Sequence, residues 1–178
     1  MERLVCDPDW ENISKASKGD EDAFGILVKK YEAPVSSLIY RYTGGANADD
    51  LVQEVFIKVW QKASSFKGRS KFSTWLYRVA VNHCLNYRSK QKSGLTSELD
   101  ESVPDNSPDA QAVYEVKERA DLVRKAIAGL SSKQRMAILL FKFEGYSVAE
   151  VADIMELSFS ATQSLIFRAI DNLRKRLV

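Results

Sequence analysis

Two cysteines in 178 residues, Cys6 and Cys84, have no metal-like spacing and argue against a disulfide framework or a zinc site. They fit a reducing cytosol instead. The single histidine, His83, has no second ligand or acid–base partner near it in sequence, which reads as structural or phosphate-facing. Proline (four) and glycine (eight) are scarce outside obvious breaks, and two-residue alternation is almost absent, which argues against a β-rich fold. No apolar run is long enough to span a bilayer and the first twenty residues are too acidic and polar for a signal peptide, so a soluble cytoplasmic protein without direct membrane insertion is expected. No acid–base pair, nucleophile constellation, phosphate-cradling glycine loop or metal cluster stands out. The expectation is a non-enzyme with no catalytic residue, no metal and no cofactor.

The most informative absence is local. Between Val55 and Ser97 there is no Asp or Glu, against nine basic residues: Lys58, Lys62, Lys67, Arg69, Lys71, Arg78, Arg88, Lys90 and Lys92. Phe56, Trp60, Phe66, Phe72, Trp75, Tyr77 and Tyr87 are threaded among them. Cations attract a phosphate backbone and aromatic faces stack unpaired bases, so the combination suits opened or single-stranded nucleic acid. The bland alternative is a helical domain with a basic outer face and its rings in the core. The formal net charge of +2 hides this segregation. Residues 1–54 carry −5, 55–97 carry +9, 98–121 carry −6 and 122–178 carry +4. Two basic blocks around an acidic one suggest two nucleic-acid-facing units joined by a segment that avoids phosphate.

What remains reads as helix. Phe24, Leu27, Val28, Tyr31, Val35, Leu38, Ile39 and Tyr42 recur at three- and four-residue steps, with Pro34 expected to kink or break the run. Gly44-Gly45 ends it, and Asn47 is expected to cap a helix carrying Asp49 and Asp50 in its first turn. After a loop over 64–70, Ser73 or Thr74 is expected to cap a helix that reaches about Lys90. The stretch 93–113 is rich in Ser, Asp, Glu and Pro and reads as a linker. Extended, about 20 residues reach roughly 65 Å. The architecture is therefore all-α: two small helical domains, 1–92 and 114–178, joined by a flexible acidic linker.

In the second domain Ser147-Val148-Ala149-Glu150 forms a capping box ahead of a short apolar helix, a turn follows at Glu156-Leu157, and Ser158 can cap a longer helix ending in Arg174-Lys175-Arg176. These are the dimensions of a helix-turn-helix. Its second helix presents Ser160, Ala161, Gln163, Ser164, Phe167 and Arg168 outward, while an ordinary helical bundle is the plain alternative.

The stretches DDLVQEVFIKVW (49–60) and FKGRSKFSTWLYRVAVNH (66–83) closely resemble the polymerase-binding and promoter-melting regions of bacterial extracytoplasmic-function (ECF) sigma factors. The Gly19-Asp20-x-x-Ala23-Phe24 opening and the C-terminal helix-turn-helix match that family in order and spacing. The resemblance implies that Asp50, Gln53, Glu54, Ile57 and Lys58 dock on the clamp of the largest subunit of core RNA polymerase, with a further contact near the flap. It implies that the 66–75 loop captures a flipped base of the single-stranded −10 element. There Gly68 allows close approach, Lys67, Arg69 and Lys71 neutralise phosphates and Phe66 or Phe72 is available to stack; core packing is the alternative for Phe72 and Trp75, and the favoured one for Trp75. Arg78, Asn82 and Asn86 share one face of the next helix, with Asn82 where the family places a base reader. The C-terminal domain would bind duplex DNA at −35, and a cognate anti-sigma factor is implied.

The chain departs from the common pattern at Gln163 and Leu165, where many relatives carry Lys or Arg, and at Glu156, a turn position often held by glycine. The expected function is an alternative-sigma initiation factor, a stress-response regulator in family terms. A stand-alone helix-turn-helix regulator is the competing reading.

Overall fold

The computed structural model describes residues 7–93 and 120–177. The expected linker lies outside the described residues apart from Ser93. Among the described residues eight helices follow in order: α1 (Trp10–Ala16), α2 (Glu21–Thr43), α3 (Ala48–Lys62), α4 (Phe72–Ser93), α5 (120–128), α6 (Ser132–Ile138), α7 (Val148–Met155) and α8 (Phe159–Leu177). A 3₁₀ turn at Ala63–Ser65 closes α3, and α6 runs on into a π turn at Leu139–Phe143. No strand occurs among the described residues.

Helix α2 begins where the Asp20 carboxylate accepts the Ala23 N–H at 2.9 Å. It ends at Gly44, whose left-handed backbone (φ 77°) lets its N–H reach the Tyr40 carbonyl. Pro34 does not break it: the helix is continuous over 23 residues. A proline inside a helix costs about 3 kcal/mol. The buried stripe of Leu27 before it and Val35, Leu38, Ile39 and Tyr42 after it offsets that cost by packing. Helix α3 buries Ala48, Leu51, Val52, Val55 and Val59 at three- and four-residue steps. Asn47 occupies the N-cap position but makes no cap bond; its amide instead donates to the Tyr87 hydroxyl at 2.7 Å.

Helix α4 starts one residue before Ser73, and its cap comes from far away. The Phe72 N–H donates to the Asp7 carboxylate, which also accepts from the Asp9 N–H at 2.9 Å. Asp9 is buried and binds Lys30 Nζ and the Tyr31 hydroxyl, each at 2.6 Å, so the segment before α1 is pinned to α2 and α4 together. Burial and the neighbouring Asp9 hold the Tyr31 hydroxyl far above its ordinary pKa.

In the C-terminal half, Ser131 and Gln134 close a capping box on α6, and Ser147 and Glu150 close another on α7. The Ser147 N–H and hydroxyl hold the Glu150 carboxyl below the usual range. Helix α7 ends at Glu156, a non-glycine residue with left-handed backbone (φ 55°). That geometry costs an L residue on the order of 1 kcal/mol. Ser158 then caps α8 by accepting from the Ala161 N–H at 3.2 Å.

The two halves pack on one another. A single apolar cluster runs from Ile13 in α1 to Ala169 in α8, with α4 lying against α6 and α7. Arg135, buried at 3% exposure, has no carboxylate partner among the described residues; it donates to the carbonyls of Ile127 (3.1 Å), Ala128 and, across the seam, Tyr42 (2.9 Å). Burial pulls its guanidinium down to about 10, so it keeps its charge at neutral pH. Cys84 is fully buried on α4, and burial pushes its thiol up to about 12. In a Cys6→Ser background the native protein should react with a maleimide on the order of a hundredfold more slowly than the urea-unfolded chain, because thiolate and access are both lacking. Mass spectrometry over a time course checks this.

Candidate polymerase and nucleic-acid interfaces

Helix α3 buries one face and leaves the other to solvent. Asp50, Gln53, Glu54 and Ile57 are exposed there and Lys58 is half-buried. Ile57 is the apolar centre of this polar patch at 55% exposure. His83 from α4 joins it: its Nε2 lies 2.7 Å from Glu54 Oε2. The histidine therefore has a carboxylate neighbour that its sequence surroundings did not reveal. Burial first, and Lys58 second, push its pKa below the ordinary value.

The loop before α4 divides its residues between two tasks. Lys67, Arg69 and Lys71 are exposed, with Lys67 Nζ donating to the Ser64 carbonyl at 2.9 Å. Gly68 is buried with φ 69°, a conformation that a side chain would strain. Phe66 and Phe72 are 8% and 1% exposed, so in this conformation neither ring offers a face for stacking. They form a ring cluster: Phe66 meets Phe72 edge-on at 5.9 Å, Trp75 at 5.5 Å and Trp10 at 5.9 Å, and Phe72 meets Tyr31 at 5.5 Å. The physical reason is size, since rings of this area contribute most when removed from water together. The half-buried Trp75 belongs to the same cluster, in line with its reading as core.

On α4, Asn82 and Asn86 are exposed and Arg78 is half-buried along the same face. Arg78 and Asn82 nevertheless make contacts with the C-terminal half. Arg78 donates to the Asp153 carbonyl through Nη2 (2.8 Å) and Nε (3.2 Å), and its Nε lies 3.7 Å from Glu156 Oε1. The Asn82 amide donates to Glu156 Oε2 at 3.4 Å. This seam continues through Tyr77, whose hydroxyl donates to Glu144 at 2.9 Å and whose ring meets Tyr146 edge-on at 5.1 Å. Sequence reasoning flagged Glu156 as an oddity of the turn but did not connect it to α4.

On α8, Thr162, Ile166 and Ala169 face the core, and Ser160, Ala161, Gln163, Ser164, Phe167 and Arg168 all face out. Phe167 is 70% exposed, and Phe159, which sequence reasoning passed over, is 55% exposed at the start of the same helix. Gln163, Ser164, Phe167 and Arg168 line one open concavity. Exposed side chains of this kind at the N-terminal half of the second helix are what a major-groove reader requires. Among the described residues no group of three or more His, Cys, Asp or Glu is placed to hold a metal ion, and no helix is long and apolar enough to cross a membrane.

The Sigma-70 region 2 pattern covers residues 27–94 and the Sigma-70, region 4 pattern covers 120–173. The chain is 37% identical over 173 residues to the ECF RNA polymerase sigma-E factor of Escherichia coli strain K12, covering 90% of this chain and 91% of that protein. It is 32% identical over 177 residues to the ECF RNA polymerase sigma-E factor of Haemophilus influenzae, covering 93% of each. Among solved structures, CnrH in complex with the cytosolic domain of CnrY shares the fold with a TM-score of 0.70 at 23% identity, over 95% of this chain and 96% of that one. These are two helical regions in the order that sigma factors place them, one basic and ring-rich and one a helix-turn-helix. The chain belongs to the ECF sigma factors of the sigma-70 family, alternative factors for transcription initiation.

Proposed function

We propose that residues 1–92 bind core polymerase and the −10 element, that 93–113 link the two domains, and that 114–178 bind the −35 element and the flap. Asp50, Gln53, Glu54, Ile57 and Lys58 form the docking patch for the clamp of the polymerase's largest subunit. Lys67, Gly68, Arg69 and Lys71 hold the separated strand by charge and close backbone approach, with Phe66 and Phe72 shaping the loop from beneath. Arg78, Asn82 and Asn86 read bases, and Ser160, Ala161, Gln163, Ser164, Phe167 and Arg168 meet duplex DNA. The protein is a cytoplasmic non-enzyme, and an anti-sigma factor is its second class of partner, as for the relative solved with the anti-sigma factor NepR.

The observation that carries this reading is the acid-free run 55–97, whose exposed cations and amides sit beside the α3 patch on one domain of a sigma factor. Run-off transcription with purified core polymerase on a promoter library tests it, and absence of promoter-dependent transcripts would refute it. Ile57→Glu puts a charge at the centre of the patch. It should weaken core-polymerase binding at least about tenfold, as loss of a central apolar anchor does, while free-protein DNA binding is unchanged. Equal core affinity for wild type and variant in a pull-down titration would remove α3 from the interface.

A further inference from the structure

We infer that Gln163 fixes one base of the upstream element, selecting adenine there through a bidentate contact in the major groove. This rests on the assignment of α8 to the −35 duplex. From Phe159 to Phe167 the helix carries no charged residue, and Arg168 is its first cation. In this stretch Thr162 and Ile166 are buried and Leu165 packs against the core. The polar side chains left outside are Ser160, Gln163 and Ser164. A serine hydroxyl donates or accepts, so it tolerates several bases. Gln163 alone among the three holds a donor and an acceptor side by side, the complement of one base edge. Its amide nitrogen donates to adenine N7 and its amide oxygen accepts from adenine N6. Guanine offers O6 in place of that N6 donor, so two acceptors would face one another.

Position and surroundings both favour a base contact over a backbone one. Gln163 is the fifth residue of α8, in the part of a second helix that reaches base edges. It shares its open concavity with Ser164, Phe167 and Arg168. The Phe167 ring, one turn on, walls that concavity and would keep water from a base pair seated beside it. An amide beside an apolar wall discriminates sharply, because a mismatched edge finds no water for the group left unpaired. Arg168 is held differently: its Nε donates to the Ser164 carbonyl at 3.2 Å, so the guanidinium lies against its own helix. The next cations, Arg174, Lys175 and Arg176, stand in the last turn of α8. Arg174 is about 16 Å from Gln163 along the helix axis, and Lys175 pairs with Asp171 at 2.7 Å. With so little charge at the reading end, phosphate attraction is weak there and base contacts carry the selection.

The test uses holoenzyme reconstituted from the full-length protein and core polymerase, transcribing a promoter library randomised over the upstream element. Wild type should favour adenine at one position by at least about fivefold, the lower end for a bidentate pair. Gln163→Ala should flatten that position and leave the others as they were. Gln163→Arg, which presents two donors to N7 and O6, should convert it to guanine. Both substitutions fall on an exposed side chain, so the fold is kept. On the favoured promoter, 7-deazaadenine at that position removes N7 alone. It should lower initiation by wild type and leave that by Gln163→Ala unaffected. A loss spread evenly over all sequences in Gln163→Ala would make Gln163 a backbone contact and overturn the proposal, as would an arginine variant that still prefers adenine. Failure of the underlying assignment looks different. If wild type shows no base preference anywhere upstream, α8 is not the duplex reader and both readings fall. If preferences exist and no Gln163 variant moves any of them, only the adenine contact is refuted.

Discussion

Replacing Phe72 with alanine should destabilise the N-terminal domain by about 3–5 kcal/mol, the usual cost of emptying a buried aromatic site. The ring is 1% exposed and touches Tyr31, Phe66 and Trp75, so its removal leaves a hole bounded by three other rings that have no room to collapse. The effect should appear as a lower urea midpoint with little change of slope, followed by circular dichroism. The experiment also decides what the ring is for. A base-stacking platform would lose promoter opening at nearly constant stability, so a Phe72→Ala protein with a wild-type midpoint would contradict the core assignment.

Neutralising Lys67, Arg69 and Lys71 together should have the opposite signature: intact stability and lost strand capture. All three are exposed on the loop between the 3₁₀ turn and α4. If each neutralises one phosphate of a single strand, the slope of log affinity against log salt should fall by about 2, at roughly 0.7 per phosphate. Affinity at low salt should drop most, and promoter opening by the holoenzyme should fall at least about tenfold. Core-polymerase affinity should not move, because the α3 patch is separate. Permanganate footprinting of the open complex reads the result, and unaltered reactivity in the triple variant would eliminate this loop as the strand-holding element.

How far the fold was legible depends on the range over which each signal acts. The α3 stripe, the Gly44 stop and the Ser147-Glu150 capping box are set by residues within four positions of each other, and all three stand where the spacing puts them. The exposed side of α8 follows from the same periodicity. What failed were choices between local and distant partners. Asn47 had a cap bond within reach but pairs with Tyr87, forty residues on, and α4 takes its cap from Asp7 rather than from Ser73 or Thr74. Pro34 was expected to kink or break α2, and of the two the break does not occur. Ring and charge placement behaved likewise. Sequence shows cations and aromatics interleaved, but only packing separates Lys67, Arg69 and Lys71 outside from Phe66 and Phe72 inside. The seam between the halves was invisible because complementarity across 75 residues leaves no periodic trace.

The bond from Arg135 to the Tyr42 carbonyl bears on how this protein can be taken apart. Tyr42 lies in the last turn of α2, where a helix leaves its carbonyls without intrahelical donors, and the donor arrives from 93 residues further along. An amino-terminal fragment would surrender that carbonyl to water and fray there. A carboxy-terminal fragment would carry a guanidinium short of one acceptor in an apolar setting. Fragments measured singly would therefore sum to less than the whole, and the shortfall is the coupling between the halves.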